Sequence, residues 1–186
     1  MQGIILSDDT LAAQTKLALR RLASSVAVVT CRDERARHAM TATAVNAMSM
    51  QPPSMIVCIN RSTAFHAAIG GAGSFAINIL NRNQIEISTG CGGQARGEDR
   101  FGYGAWGEEA GVPILTDAQA RVVCIKETKF DYGSHTIFVV RVTSIGIHGK
   151  VDPLIYVDGR YTCLPPDAVA VPALQTEIEI LRQLAM

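Results

Sequence analysis

Leu11, Thr15, Ala18 and Leu22 recur at helical spacing behind Ser7-Asp8-Asp9, a run able to cap a helix start. Beyond them the apolar runs shorten and alternate, as strands do. Residues 26–30 (Val-Ala-Val-Val-Thr) read as a strand that stops at Arg32-Asp33-Glu34-Arg35, with Arg37 and His38 just after. The mixed signs of that run predict a solvated turn. Residues 40–49 read as the returning strand and 55–60 as the next one. Residues 62–69 predict a short helix, with serine in front, Phe65 and Ile69 one turn apart, and Gly70-Gly71 behind. Residues 75–80 are a further strand, its isoleucines interrupted by Asn78, and Asn81 is placed to cap a second short helix through Ile87.

Residues 89–111 differ in kind. Glycines fall at 90, 92, 93, 97, 102, 104, 107 and 111, around charged groups and the single tryptophan, Trp106. Backbone entropy at such density opposes a regular element, so a surface loop is expected. Two long strands follow, 120–130 and 135–148, joined by a turn at Asp131-Tyr132-Gly133-Ser134. Apolar residues on both faces predict cover on both sides, as for a barrel with helices or a partner subunit outside it. Residues 154–158 are expected to close the sheet at the Gly159-Arg160-Tyr161 turn. After Pro165-Pro166, Leu174, Ile178, Leu181 and Leu184 form an apolar helical stripe that needs a surface, its own barrel or a neighbouring subunit. Short strands with few short helices favour an antiparallel barrel, closed or split, over alternating βαβ units.

The 186 residues are 48% apolar and 18% charged, which predicts one soluble globular domain. Lysine plus arginine equals aspartate plus glutamate at 17 each, so net charge draws the chain to neither nucleic acid nor membrane. An anionic ligand must be held by local groups. No apolar run is long enough for a membrane span, and residues 1–6 lack the pattern of a secretory leader. Five cysteines, at 31, 58, 91, 124 and 163, match neither zinc nor disulfide spacing. Reduced thiols and a cytoplasmic location are expected.

Met40-Thr41-Ala42-Thr43-Ala44-Val45 puts small and hydroxylated residues where a strand should carry bulk. Either this is an edge strand with exposed threonines, or the sheet yields volume to a flat ligand. Asn60-Arg61-Ser62-Thr63 favours the second reading, because polar groups at a helix start can receive an anion. Arg61 either adds a full charge there or points to solvent. A planar ring beside one strand and a phosphate beside the next would suit flavin mononucleotide. His135 opens a strand after a Gly-Ser turn and is either structural or catalytic. His38, His66 and His148 have no stronger claim, and the histidines show no metal spacing, so no metal is assigned. Cys91 lacks a neighbouring base and is not read as a nucleophile. With no G-x-G-x-x-G fingerprint, a nicotinamide would bind without a Rossmann domain. Phe101 and Trp106 either cover an aromatic ligand or pin their loop.

From about residue 17 to 164 the chain resembles the flavin reductase family of two-component flavin-dependent monooxygenases, which includes the reductase component of 4-hydroxyphenylacetate 3-monooxygenase. The likeness is carried by Leu22 to Thr30, Met40 to Val45, Pro52-Pro53, Val57 to Ser62 and Phe75 to Leu80. It continues in Asp99-Arg100-Phe101, Gly133 to Phe138, Leu154-Ile155-Tyr156 and Gly159-Arg160-Tyr161. The resemblance implies a mainly β fold: a Greek-key, antiparallel, FMN-binding split barrel over residues 1–165, with short flanking helices. Residues 166–186 would be a C-terminal helical tail packed on the barrel or a dimer partner.

The same resemblance implies an NAD(P)H:flavin oxidoreductase that passes hydride from NADH or NADPH to FMN or FAD and supplies a separate monooxygenase. Met40, Thr41, Ala42, Thr43 and Ala44 would line the ring, with Asn60, Arg61, Ser62 and Thr63 at the ribityl chain and phosphate. Arg100, Phe101 and Tyr161 would border the pocket, and His135 would serve catalysis where flavin and nicotinamide stack. A homodimer is implied, with neither nucleic acid nor membrane as partner. Two other readings remain: tightly bound FMN reducing another substrate such as a corrinoid, and a non-catalytic flavin-binding module.

Overall fold

The computed structural model describes residues 7–165 and 168. Its first element is helix α1 (Asp8–Leu19), where the Ser7 hydroxyl accepts from the Thr10 amide as the N-cap. None of its residues is buried. The chain then lays down β1 (Ser24–Ser25), β2 (Ala27–Arg32), β3 (Arg37–Ala42), β4 (Val45–Met50) and β5 (Pro53–Asn60). Helix α2 (Ala64–Gly71) precedes β6 (Ser74–Ile79), and the short α3 (Ile85–Thr89) leads into a π turn (Gly90–Gln94) and a 3-10 turn (Gly97–Gly102). The hairpin β7 (Trp106–Glu109) and β8 (Val112–Leu115) comes next. The long pair β9 (Ala120–Tyr132) and β10 (His135–Ile147) and the small hairpin β11 (Ile155–Val157) and β12 (Arg160–Thr162) are the last elements among the described residues. No helix among the described residues is long and apolar enough to cross a membrane.

Seven strands form one antiparallel sheet in the order β3-β2-β6-β9-β10-β5-β4. Its two outer strands, β3 and β4, are neighbours in the chain yet do not pair. One buried cluster nevertheless joins Ala42 of β3 to Val57 and Ile59 of β5 and to Phe138 and Val140 of β10. Strands at opposite ends of a sheet share a core only if the sheet curls round it. The result is a split barrel, open between β3 and β4. Helix α2 plugs its interior with Phe65, Ala68 and Ile69. Lys126 Nζ donates to the carbonyls of Ile69 (2.8 Å) and Gly70 (2.6 Å), closing the helix at its C-terminal end. Phe138 is wholly buried, and truncating it to alanine would cost about 3–5 kcal/mol.

Several expectations need correction. Residues 40–49 are not one strand: the chain bends at Thr43 and Ala44, and β4 pairs with β5 while β3 stays on β2. Thr63, not Ser62, is the N-cap of α2, its hydroxyl accepting from the His66 amide at 3.2 Å. Asn81 does not cap α3, for Gln84 takes the cap position and Asn81 Oδ1 accepts from the Asn83 amide instead. The 89–111 segment is not a free surface loop. Its Cys91 and Phe101, with Ile87 and Leu115 on either side of the segment, bury against Val28 and Ala39 on the outer face of β2 and β3. Glycine is required at position 90, where an added Cβ would lie 2.6 Å from the Tyr103 ring. Residues 154–158 do not close the large sheet, because β11 pairs with β1 and β12 in a separate sheet. The stripe at Leu174, Ile178, Leu181 and Leu184 lies outside the described residues.

The turn at 32–36 is held by Asp33, which accepts from the amides of Ala36 and Arg35 (2.8 Å each) and lies 2.8 Å from His38 Nε2. These partners, the Ala36 amide foremost, hold its carboxyl down at about 2 against an ordinary 3.8. A carboxyl depressed by folding adds stability above pH 3.8 that is lost as pH falls toward 2. Thermal melts followed by circular dichroism from about pH 5 to about pH 2 should therefore fall more steeply for the parent than for Asp33→Asn. Parallel curves would contradict this role.

Candidate active site

At the split, the β3–β4 bend meets the small three-stranded sheet across a cleft of ≈ 860 Å³. Small side chains make up much of its lining, Ser24, Ser25, Thr43, Ala44 and Gly159 among them, with Val45 and Asn46 of β4 alongside. Tyr156 and Leu22 add apolar surface, while Lys16 and Arg20 stand at the α1 side. Arg20 is paired with Asp158 at 2.6 Å. The volume falls within the range of small-molecule clefts, and a floor without bulk leaves backbone open to a flat ligand.

Strand register brings the polar candidates to the same end of the sheet, although none of Asn60, Arg61, Ser62, Thr63 and His135 lines the cleft itself. The Ala44 carbonyl accepts from the Cys58 amide at 3.0 Å, setting the bend beside the last residues of β5. Asn60, at the end of β5, pairs with His135, the first residue of β10. The Arg61 amide donates to the Ser134 carbonyl at 2.9 Å, tying the turn after β5 to the β9–β10 hairpin. Asn60 Oδ1 accepts from the amide and hydroxyl of Ser62, both at 2.9 Å. Thr63 donates to the Asn60 carbonyl at 2.8 Å. The turn is thus rigid before any ligand arrives. Among the described residues the Ala64 and Phe65 amides, in the first turn of α2, have no hydrogen-bond partner. Two free amides at a helix start form a donor pair fit for a phosphate, while the Ser62 hydroxyl is already spent on Asn60 Oδ1. Arg61 is exposed beside them, and Ser134 Oγ lies 2.9 Å from His135 Nδ1, leaving Nε2 for a ligand.

The other candidates lie elsewhere. Of residues 40–44, only Thr43 and Ala44 line the cleft. Met40 and Ala42 pack into the barrel interior, because β3 alternates and both share its inner face. Thr41 faces outward and its hydroxyl donates to the Ser88 carbonyl at 2.6 Å. Arg100 Nε donates to the Ala95 carbonyl at 3.1 Å and its guanidinium also reaches the Ala39 carbonyl. Phe101 is buried, 4.9 Å edge-on to Trp106 and under the Arg37 guanidinium at 4.2 Å. Both clamp the 90–102 segment to β3 rather than facing the cleft. Tyr161 stands behind the wall, its hydroxyl 2.8 Å from Ser88 Oγ and its ring 5.5 Å from that of Tyr156.

Sequence reading missed Ser24, Ser25 and Tyr156 as cleft residues. The signal available was two serines entering a strand and a tyrosine beside a Asp-Gly turn, which is weak without the small sheet that joins them. Ser88, buried at the junction of Thr41 and Tyr161, gave no signal at all. Three thiols are inert: burial pushes Cys31 and Cys124 up to about 12 and Cys91 up to about 11.

A flavin reductase like domain matches residues 19–165 of the chain. The reductase component of an FADH2-dependent resorcinol hydroxylase from a Rhizobium species is 33% identical over 154 residues, covering 81% of this chain and 86% of that protein. The NADH-dependent FMN reductase RutF of Methylorubrum extorquens is 33% identical over 165 residues, covering 87% and 80%. Among solved structures, the styrene monooxygenase flavin reductase of Pseudomonas putida superposes with a TM-score of 0.74 at 27% identity, covering 82% and 98%. A split barrel with a small-residue cleft at its seam, matched across nearly its whole described length, places this chain in the flavin reductase family.

Proposed function

We propose that the protein is an NAD(P)H:flavin oxidoreductase that delivers reduced flavin to a separate monooxygenase. The observation that carries this reading is the cleft with a floor of Ser24, Ser25, Thr43 and Ala44, one strand away from the phosphate-ready turn at Asn60–Thr63. When bound, FMN or FAD accepts the hydride of NADH or NADPH and supplies the redox chemistry itself. The chain's part is to bind, align and exclude water, the largest contribution open to a protein with no reactive dyad. Thr43 and Ala44 offer backbone to the ring. The Ala64 and Phe65 amides take the phosphate, with Arg61 adding charge and Asn60 holding the Ser62 side of the turn. His135 orients the nicotinamide from the edge of the turn. Tyr161 backs the cleft wall through Tyr156, while Arg100 and Phe101 hold the 90–102 segment on β3.

A homodimer fits the uneven cover of the barrel. Outside β2, β3 and β6, apolar side chains are covered by Phe101, Leu115, Leu154, Val112 and Ile114. Outside β5 and β10, Ile56, Cys58, Ile137 and Val139 have no such layer among the described residues, and Phe130 opposite Ile137 is exposed. A second copy on this face would cover it and bring its own surface close to His135 and Asn60, the next pair in the same register.

Purified protein should oxidise NADH or NADPH at 340 nm only when FMN or FAD is added. His135→Ala should lower kcat/KM for the nicotinamide about tenfold, equivalent to about 1.4 kcal/mol, with flavin affinity retained. Absence of flavin-dependent oxidation with either donor would overturn the activity. Sedimentation should give a dimer for the parent and a weaker association, by about tenfold or more, for Ile137→Asp. A monomeric parent would contradict the proposed interface.

A further inference from the structure

Beneath the Asn60–Thr63 turn runs a chain of polar groups outside the cleft. Thr136 is wholly buried next to His135. Its hydroxyl donates to Asp131 Oδ1 at 2.6 Å, and Thr136 Oγ1 itself lies 2.8 Å from His66 Nε2. Proton balance fixes the direction of each bond. The Thr136 hydroxyl holds the Asp131 carboxyl below its ordinary range, with smaller help from Arg61, Lys129 and His66. Asp131 is therefore ionised near neutral pH and can only accept. Thr136 has one proton, and it is committed to Asp131. Its oxygen must then accept from His66 Nε2–H, which assigns the His66 tautomer.

His66 is the third residue of α2, and its amide donates back to Thr63 at both the hydroxyl (3.2 Å) and the carbonyl (3.1 Å). One residue thus ties the first turn of α2 to Thr63 through its main chain and to β10 through its ring. The ring also packs 6.0 Å from that of Phe138. We propose that His66 is a positioning residue for the flavin phosphate: through Thr136 and Asp131 it fixes the α2 amides relative to His135. This role rests on the flavin phosphate lying at the Asn60–Thr63 turn. A hydroxyl left without its donor in a buried position loses both that anchor and its own satisfaction.

The test is equilibrium binding of FMN and of riboflavin, which lacks the phosphate, by quenching of flavin fluorescence without nicotinamide. His66→Leu and Thr136→Val should each weaken FMN about fivefold while riboflavin binding holds. His66→Gln, whose side-chain amide can present an N–H near the place of Nε2–H, should restore FMN affinity. Should His66→Leu not fold, His66→Asn, whose amide falls short of Thr136, is read in its place. Equal loss for both ligands, no loss for either, or failure of His66→Gln to rescue would overturn the role of His66. Asn60→Ala separates the two possible failures. No FMN-selective loss there overturns the phosphate placement itself, and with it this role. Such a loss there with none in His66→Leu overturns the positioning role alone.

Discussion

The register of β5 against its two neighbours is the constraint on which the rest depends. On one side the Ala44 carbonyl receives the Cys58 amide, and on the other Asn60 pairs with His135. A slip of one residue would turn Val57 and Ile59 out of the barrel and bring Ile56 and Cys58 in. Burial of Val57, Ile59, Phe138 and Val140 in one cluster therefore enforces the register. The same pairing then sets the β3–β4 bend, the Asn60–Thr63 turn and His135 along one end of the sheet. Function here is a by-product of how the core is packed.

The seam between β3 and β4 is the second element. A chain continuing straight through residues 43 and 44 would leave no opening, and the bend there lets β4 join β5 instead of prolonging β3. Opening a barrel exposes edge strands, which proteins normally cover. The Thr41–Ser88–Tyr161 bonds cover one edge by pinning α3 and the small sheet against β3. Thr41 thus belongs to the architecture that keeps the cleft open, not to its floor. At the far end of α2, Lys126 holds the helix by its last carbonyls, while Thr63 and His66 hold it by its first turn. A helix secured at both ends presents its free amides without reorganisation, which is how preorganised anion sites gain their affinity.

Much of this was legible beforehand. Short apolar runs bounded by turn residues gave β2, β5, β6, β9 and β10 to within a few residues, because each buries a continuous or alternating apolar run of strand length. Glycine density misled for 89–111, since Cys91, Phe101, Tyr103 and Trp106 are spaced too irregularly to show a period yet pack together on the sheet. The break at Thr43 was hidden by small residues that fit either a strand or a bend. Residues 154–158 gave a correct strand and turn but not its partner, because the choice between β1 and the large sheet is made in three dimensions. His66 carried no local signal either. Its meaning lies in Thr136, seventy positions away in sequence, and in the direction of a proton.

The most direct measurement is a crystal structure of the protein with FMN. It should show the ring against Thr43 and Ala44, with the phosphate on the Ala64 and Phe65 amides beside Ser62. A ring settled elsewhere, for instance in the shallow hollow of Arg32 and Arg35, or a phosphate turned toward Lys16 and Arg20, would contradict the account.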